Sequence, residues 1–335
     1  MSASPPDRSI KPIRLVALIA GLLISAASLW LVARSVDGGL LRAAFEQADW
    51  TWISIAAILI IATIFARTWR WAALLHPIGF PRPTILFALL SGQILNFLLP
   101  ARLGDVARAV IISRSSGTFE RALGTVVVEK AWDWLALTLL ISLVALSAPL
   151  PAWLIDPARL VGVIAVLVLI VFVVAALSPP AWQLRGLNRL DRALGRLPHR
   201  LRVWSIERIQ RLFSSFEALR DRSSLRAAAS SSLLIWALGA ATNYAVMRAY
   251  AVDSPLAALL LLAVLMVGVA VPPSIAALGV FEGLTILTLN AFAVPAETAL
   301  AIGVTLHVLI FALPGLGLSV FAVQHMGGHG KPPDS

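Results

Sequence analysis

Gly92–Asp105, GQILNFLLPARLGD, sets an amide, a proline, an arginine and a carboxylate inside sequence apolar enough to lie in a bilayer. A charged side chain at mid-membrane costs roughly 2.5–3.5 kcal/mol on insertion scales, so Arg102 and Asp105 are expected in a protein-lined cavity or paired with each other. Pro100 withholds a helix donor and pushes Leu99 toward an extended conformation, while Gly104 tolerates a tight turn. Gly92, Pro100 and Gly104 thus read as the hinge of a helix that enters, breaks and returns. Non-helical backbone at membrane depth persists only where protein or trapped water satisfies its polar groups, which is how transporter sites are commonly built.

The surrounding composition agrees. Of 335 residues, 59% are hydrophobic and 13% charged, and the mean hydropathy is +0.88. A soluble domain of this size is far less apolar, so the expected class is an all-α, polytopic membrane protein. The chain has no cysteine, which excludes disulfides, thiolate metal sites and thiol nucleophiles. The formal charge of +10 is concentrated in one loop, a pattern suited to anionic lipid headgroups and not to nucleic acid.

Outward from the break, the spans can be counted. Arg8, Lys11 and Arg14 precede the apolar run Leu15–Ala33, about 19 residues and long enough to cross, with the N-terminus cytoplasmic. No small-residue cleavage site follows, so an anchor is favoured over a signal peptide. The loop Arg34–Asp49 reads as outside. Trp50 and Trp52 open a second span that closes at Arg67, Trp69, Arg70 and Trp71 on the cytoplasmic side. Arg70 is either a stop-transfer charge or a phosphate contact at a cavity mouth. Thr84–Leu99 and Val106–Ile112, the arms of the broken segment 84–112, form a re-entrant hairpin open to the cytoplasm.

Gly124–Leu146 is the next span and begins VVVEKAWDWLAL. Glu129 and Asp133 are four apart and share a helix face, with Lys130 beside them. Two such carboxylates raise each other's pKa and hold a proton near neutral pH unless an arginine neutralises them, Arg102 and Arg108 being the obvious partners. The competing reading is an interfacial salt-bridge cluster.

The arginine–tryptophan pair Arg70–Trp71, then G-x-x-x-N-x-x-L-P-A-R-x-G-D from Gly92 through Asn96, Pro100, Arg102 and Gly104 to Asp105, then E-K-x-x-D from Glu129 to Asp133, resembles the lysylphosphatidylglycerol synthase transmembrane region, a flippase-like membrane family. The resemblance covers nearly the whole chain. It departs from the family's frequent glutamate at Asp105 and arginine at Lys130, with charge sign kept. It implies a bacterial inner-membrane protein that moves lipid between leaflets, working beside an envelope-biosynthesis enzyme. Aminoacyl transfer in bifunctional relatives belongs to a soluble domain after the membrane region; the chain ends at Ser335, so no enzymatic activity of that kind is expected.

Leu160–Leu177 returns the chain to the cytoplasm and completes an N-terminal half, residues 1–177. Residues 178–228 form a cytoplasmic linker; Ser178–Arg226 holds eleven arginines and four acids, and Trp204, Ile209, Leu212, Phe213, Phe216 and Leu219 space an amphipathic helix along the inner leaflet. The C-terminal half, 229–325, contains a span Ala227–Arg248 and a second broken segment, 256–294, where Pro272 and Pro273 break the helix, Gly279 and Gly283 loosen it, and Glu282 places a carboxylate among apolar residues. The last span, Ala299–Val323, kinks at Pro314 and Gly315 and carries His307, read as a packed, hydrogen-bonded residue. A cytoplasmic tail, 326–335, follows. The total is about six full spans plus two re-entrant or broken hairpins of opposite orientation, which suggests an inverted repeat.

The expected site comprises Arg70, Asn96, Arg102, Asp105, Arg108, Glu129, Asp133 and Glu282, binding an anionic membrane lipid or lipid-linked substrate. His325 and His329 lack a third ligand, so neither metal nor cofactor is expected. Without a phosphate-binding G-x-x-x-x-G-K-[ST] loop, the drive is a concentration gradient or protons taken up by Glu129 and Asp133. Two other classes compete. A lipid-carrier glycosyltransferase needs a carboxylate pair in a sizeable outside loop, which the loops around Asp37 and Asp156 lack. A scaffold or regulatory protein that binds anionic lipid explains the basic linker but not the intramembrane charges.

Overall fold

The computed structural model describes residues 12–34, 36–76, 79–98, 103–114, 118–147, scattered positions between 153 and 195, 222–268 and 275–327. The predicted linker helix, most of Leu160–Leu177, and Pro100, Arg102, Pro272 and Pro273 lie outside them. The described elements are helices: α1 (Pro12–Arg34), α2 (Gly38–Glu46), α3 (Trp50–Leu74), α4 (Arg82–Leu98), α5 (Leu103–Ser113), α6 (Phe119–Ser147), α7 (Arg222–Ala249), α8 (Pro255–Gly268), a 3-10 turn (Ile275–Ala277), α9 (Val280–Asn290) and α10 (Ala296–Gly327).

Among the described residues, three helical stretches are long and apolar enough to cross a membrane: Trp50–Leu74, Ser223–Ala249 and Ala296–Val323. Leu22, Leu23, Ile58, Phe65, Leu143, Leu233, Leu316 and Val320 remain exposed, an apolar surface fit for lipid and not for water. α6 has 29 residues and the length to cross, but it carries Glu129, Lys130 and Asp133 within its first half.

Each of the two segments read as broken contains a pair of short helices. With 17 and 11 residues, α4 and α5 are about 25 and 16 Å long, short of a hydrocarbon core of about 30 Å. α8 and α9, with 14 and 11 residues, repeat the proportion. Two details differ from expectation. Residues 38–46, read as loop, form α2 because Asp37 caps it, its Oδ1 accepting from Gly39 N at 2.8 Å and Leu40 N at 3.1 Å. The predicted last span begins three residues earlier, α10 running from Ala296 and containing Pro314 within the helix.

α3 and α7 make the most extensive helix contact, and they are antiparallel. Asp49 N, at the start of α3, donates to Ala249 O, at the end of α7, at 2.9 Å; Arg70, near the end of α3, reaches Ser232, early in α7. Exchanging α3 with α7, α4 with α8, α5 with α9 and α6 with α10 maps the principal packed pairs of these eight helices onto themselves. Thus α4 packs on α10 as α8 packs on α6, and α3 on α10 as α7 on α6. Of the apolar cores, one is filled by Ile64, Trp71, Ile85, Leu89, Ile112 and Val126, and another joins Ile53 and Ala56 of α3 to Val246, Leu261, Leu289, Ile302 and Leu306.

Candidate functional site

The last turns of α3 place Arg67, Arg70 and Trp71 on one helix face, at i, i+3 and i+4. Arg70, 1% exposed, reaches across to α6, where its guanidinium lies 3.1 Å from Glu129 Oε1 and 2.8 Å from Asp133 Oδ1. It also donates to Ser232 Oγ of α7 at 3.1 Å. From α5, Arg108 takes the other oxygen of Glu129 at 2.9 Å and approaches Asp105 Oδ1 at 3.3 Å, while Lys130 approaches Asp105 Oδ2 at 3.3 Å. Three cations and three carboxylates from three helices form one network, and Glu129 at its centre has a guanidinium on each oxygen.

Such pairing is what permits charge in an apolar interior, because unpaired ions there cost several kcal/mol each. Neighbouring groups hold the network in place. The Arg108 guanidinium lies over the Trp71 ring, 4.8 Å from its centroid. Trp71 Nε1 donates to Thr125 Oγ1 at 3.0 Å, and Thr125 donates to Ala122 O at 2.7 Å. Asn96 of α4 accepts from Asp105 N at 3.2 Å and so satisfies an open donor at the start of α5. Gly92 and Gly104 let the two arms touch: a Cβ on Gly104 would stand 1.9 Å from Gly92 O, and one on Gly92 would stand 2.8 Å from Gly104 O.

Arg70 is therefore neither a surface stop-transfer charge nor an open contact at a cavity mouth. The exposed edge of the network is elsewhere, at Lys130 and Asp133, whose side chains are 33% and 30% exposed. Arg67 interacts electrostatically with Asp133, Arg70, Glu129 and Arg108. Its Nε has no hydrogen-bond partner among the described residues. With Arg67 counted, the group carries one positive charge more than negative.

Glu282 does not join this network. On α9 its Oε1 meets His307 Nδ1 of α10 at 2.6 Å and its Oε2 accepts from Gly279 N at 2.7 Å; His307 Nε2 lies 2.9 Å from Ala276 O. Phe281 stacks on the imidazole, and Phe97, at the end of α4, has its ring centre 6.5 Å from it. Phe97 and the packing of α4 on the Ile275–Ala277 turn bring the two broken segments together. Gly279, at φ 78°, sits against α1, where a Cβ would meet Leu29 N at 2.5 Å; Gly283 faces Val32.

Of the predicted residues, the structure thus unites Arg70, Asp105, Arg108, Glu129 and Asp133, adds Asn96 through the backbone of α5, and separates Glu282. Trp71 was legible only as a motif residue, and Ser232 and Thr125 carried no signal. Arg67 was signalled by its spacing from Arg70. Among the described residues, no group of three or more His, Cys, Asp or Glu could hold a metal ion.

The family model described as the lysylphosphatidylglycerol synthase TM region matches residues 18–317. The chain belongs to that family. The match takes in both broken hairpins and both buried polar clusters, so they are features of a lysylphosphatidylglycerol synthase transmembrane region. A curated relative, Glycosyltransferase AglD of Haloferax volcanii, is 25% identical over 127 residues, which is 37% of this chain and 20% of that protein. The chain therefore spans about a fifth of that relative's length.

Proposed function

We propose that the protein is a translocase for a lipid or lipid-linked substrate, moving an anionic headgroup past the α4–α5 hairpin while the tails stay in the bilayer. The observation that carries this reading is the buried ionic network at the hairpin, in a chain whose outer surface suits lipid. A purely structural core is built more stably from apolar side chains than from ion pairs, so a network of this size points to polar cargo. Arg102 and Arg108 attract the phosphate, Asn96 orients it, and Arg67 supplies the surplus positive charge. The antiparallel α3–α7 pair and the exchangeable packing support an inverted repeat, in which two broken hairpins face opposite leaflets. In this reading the chain sits in a bacterial inner membrane with both termini cytoplasmic, and an envelope-biosynthesis enzyme is its partner.

The test is headgroup movement in liposomes holding purified protein and fluorescent anionic or neutral lipids, with leaflet exposure read by a quencher. Wild type should move the anionic lipid, Arg102→Ala should not, and Arg67→Gln should slow the anionic lipid selectively. Folded wild type that moves no lipid offered overturns the reading. A second reading, membrane portion of a lipid-carrier glycosyltransferase, is favoured by the partial similarity to a protein of that name; sugar transfer to a lipid carrier by the purified chain would establish it.

A further inference from the structure

The ionic network of α3, α5 and α6 has a counterpart in the other half of the fold. Exchange of the halves carries α5 onto α9 and α6 onto α10. Asp105 is the third residue of α5 and Glu282 the third of α9; Glu129 is the eleventh residue of α6 and His307 the twelfth of α10. The short helices thus both carry a carboxylate in the first turn, while near-matching positions of the long helices hold a carboxylate in α6 and an imidazole in α10. In the first half both oxygens of Glu129 are occupied by guanidinium groups, and a proton reaches them only by displacing an arginine.

In the second half, hydrogen-bond chemistry counts the protons. The carbonyl of Ala276 can only accept, so His307 Nε2 carries a hydrogen. Nδ1 and Glu282 Oε1 stand 2.6 Å apart, a separation that two facing lone pairs do not sustain, so one proton lies between them. The second oxygen of Glu282 already accepts from Gly279 N. Loss of one proton leaves the imidazole a single N–H for two acceptors, Glu282 and Ala276 O, so one of the two contacts fails.

What the contact holds is a strained turn. Ala276 and Ala277 have φ of 53° and 55°, and Gly279 of 78°, left-handed conformations that alanine resists and that persist only where neighbours enforce them. His307 ties this turn to α10, and Glu282 ties it to α9. Among the described residues, no other charged side chain is in hydrogen-bond or ion-pair contact with Glu282 or His307. On α1, Arg34 is the last residue and lies over Trp30; on α4, Arg82 is the first residue, fifteen before Phe97; on α10, Glu297 is in the first turn, ten before His307. On α9, Glu282 is the one ionisable side chain.

We propose that Glu282 and His307 form the proton-binding site of the transport cycle, and that release of their shared proton frees the Ile275–Gly279 turn at the junction of the two broken hairpins. This rests on the translocase reading above and moves proton coupling from Glu129 and Asp133 to the opposite half of the molecule.

The test is deuterium uptake by segment 275–283 of the full chain in detergent, followed from about pH 5.5 to about pH 8.5. After correction for intrinsic exchange, wild-type uptake should rise by about tenfold per pH unit above the transition, the slope of one-proton linkage. In His307→Gln, which keeps a donor for Ala276 O, and in Glu282→Gln, the slope should vanish. A wild-type profile flat across this range overturns the proposal without recourse to any variant. Lipid movement on the same preparations separates the two readings. Movement with flat uptake removes the proton site and keeps the translocase; titrating uptake with no movement keeps the proton site and removes the translocase.

Discussion

Replacing Glu129 with glutamine removes the negative charge from between two buried guanidinium groups. Glutamine retains one acceptor, so of the contacts at 3.1 Å to Arg70 and 2.9 Å to Arg108, one survives and the other becomes donor against donor. Arg70 keeps Asp133 and Arg108 keeps Asp105, but the latter contact is longer, at 3.3 Å. Breaking a buried pair by removing one partner costs roughly 3–5 kcal/mol. By the scaling for large domains this lowers the melting temperature by on the order of 10 °C, read by scanning fluorimetry of the purified protein in detergent. Glu129→Gln with Arg108→Gln restores the charge balance, so the double variant should lose less than the sum of the singles, with a coupling of about 1–3 kcal/mol. A melting temperature within about 1 °C of wild type for Glu129→Gln would refute the reasoning, since it would mean that water already screens these charges.

Gly104→Ala forces a Cβ to within 1.9 Å of Gly92 O, so the hairpin arms must separate; a loss of about 1–3 kcal/mol is expected in the same melting assay. Lys130→Met should cost under about 1 kcal/mol, because this side chain is one-third exposed, whereas Arg108→Met, at 4% exposure, should cost several times more. Trp71→Phe removes the indole donor to Thr125 and weakens the surface under Arg108, for a loss of about 1–2 kcal/mol, with the tryptophan emission spectrum as a second readout.

The interrupted helix at 84–112 and most members of the ionic network were legible in the sequence because both depend on local rules. Proline and glycine punctuate a helix whatever surrounds them, and a spacing of four puts Glu129 and Asp133 on one face. Partner choice is not local. The pairing of Arg70 with α6, of Ser232 with Arg70 and of His307 with Glu282 spans 59, 162 and 25 residues, so it follows from how the helices pack and no sequence period records it. Reading His307 as a packed, hydrogen-bonded residue anticipated its burial but not its partner, and grouping Glu282 with the first cluster followed charge where topology divides the two. The helix at 38–46 escaped because the stretch was read for its charge balance as an outside loop, whereas the Asp37 side chain supplies the N-terminal acceptor that starts a helix there.

The contact between Gly92 and Gly104 bears on how the molecule can move. Two backbones that meet with no room for a single carbon between them, pinned again by Asn96 on Asp105 N, cannot rotate about their junction without collision. The two arms are thus held in close register at Gly92 and Gly104, and a side chain at either position would have to part them.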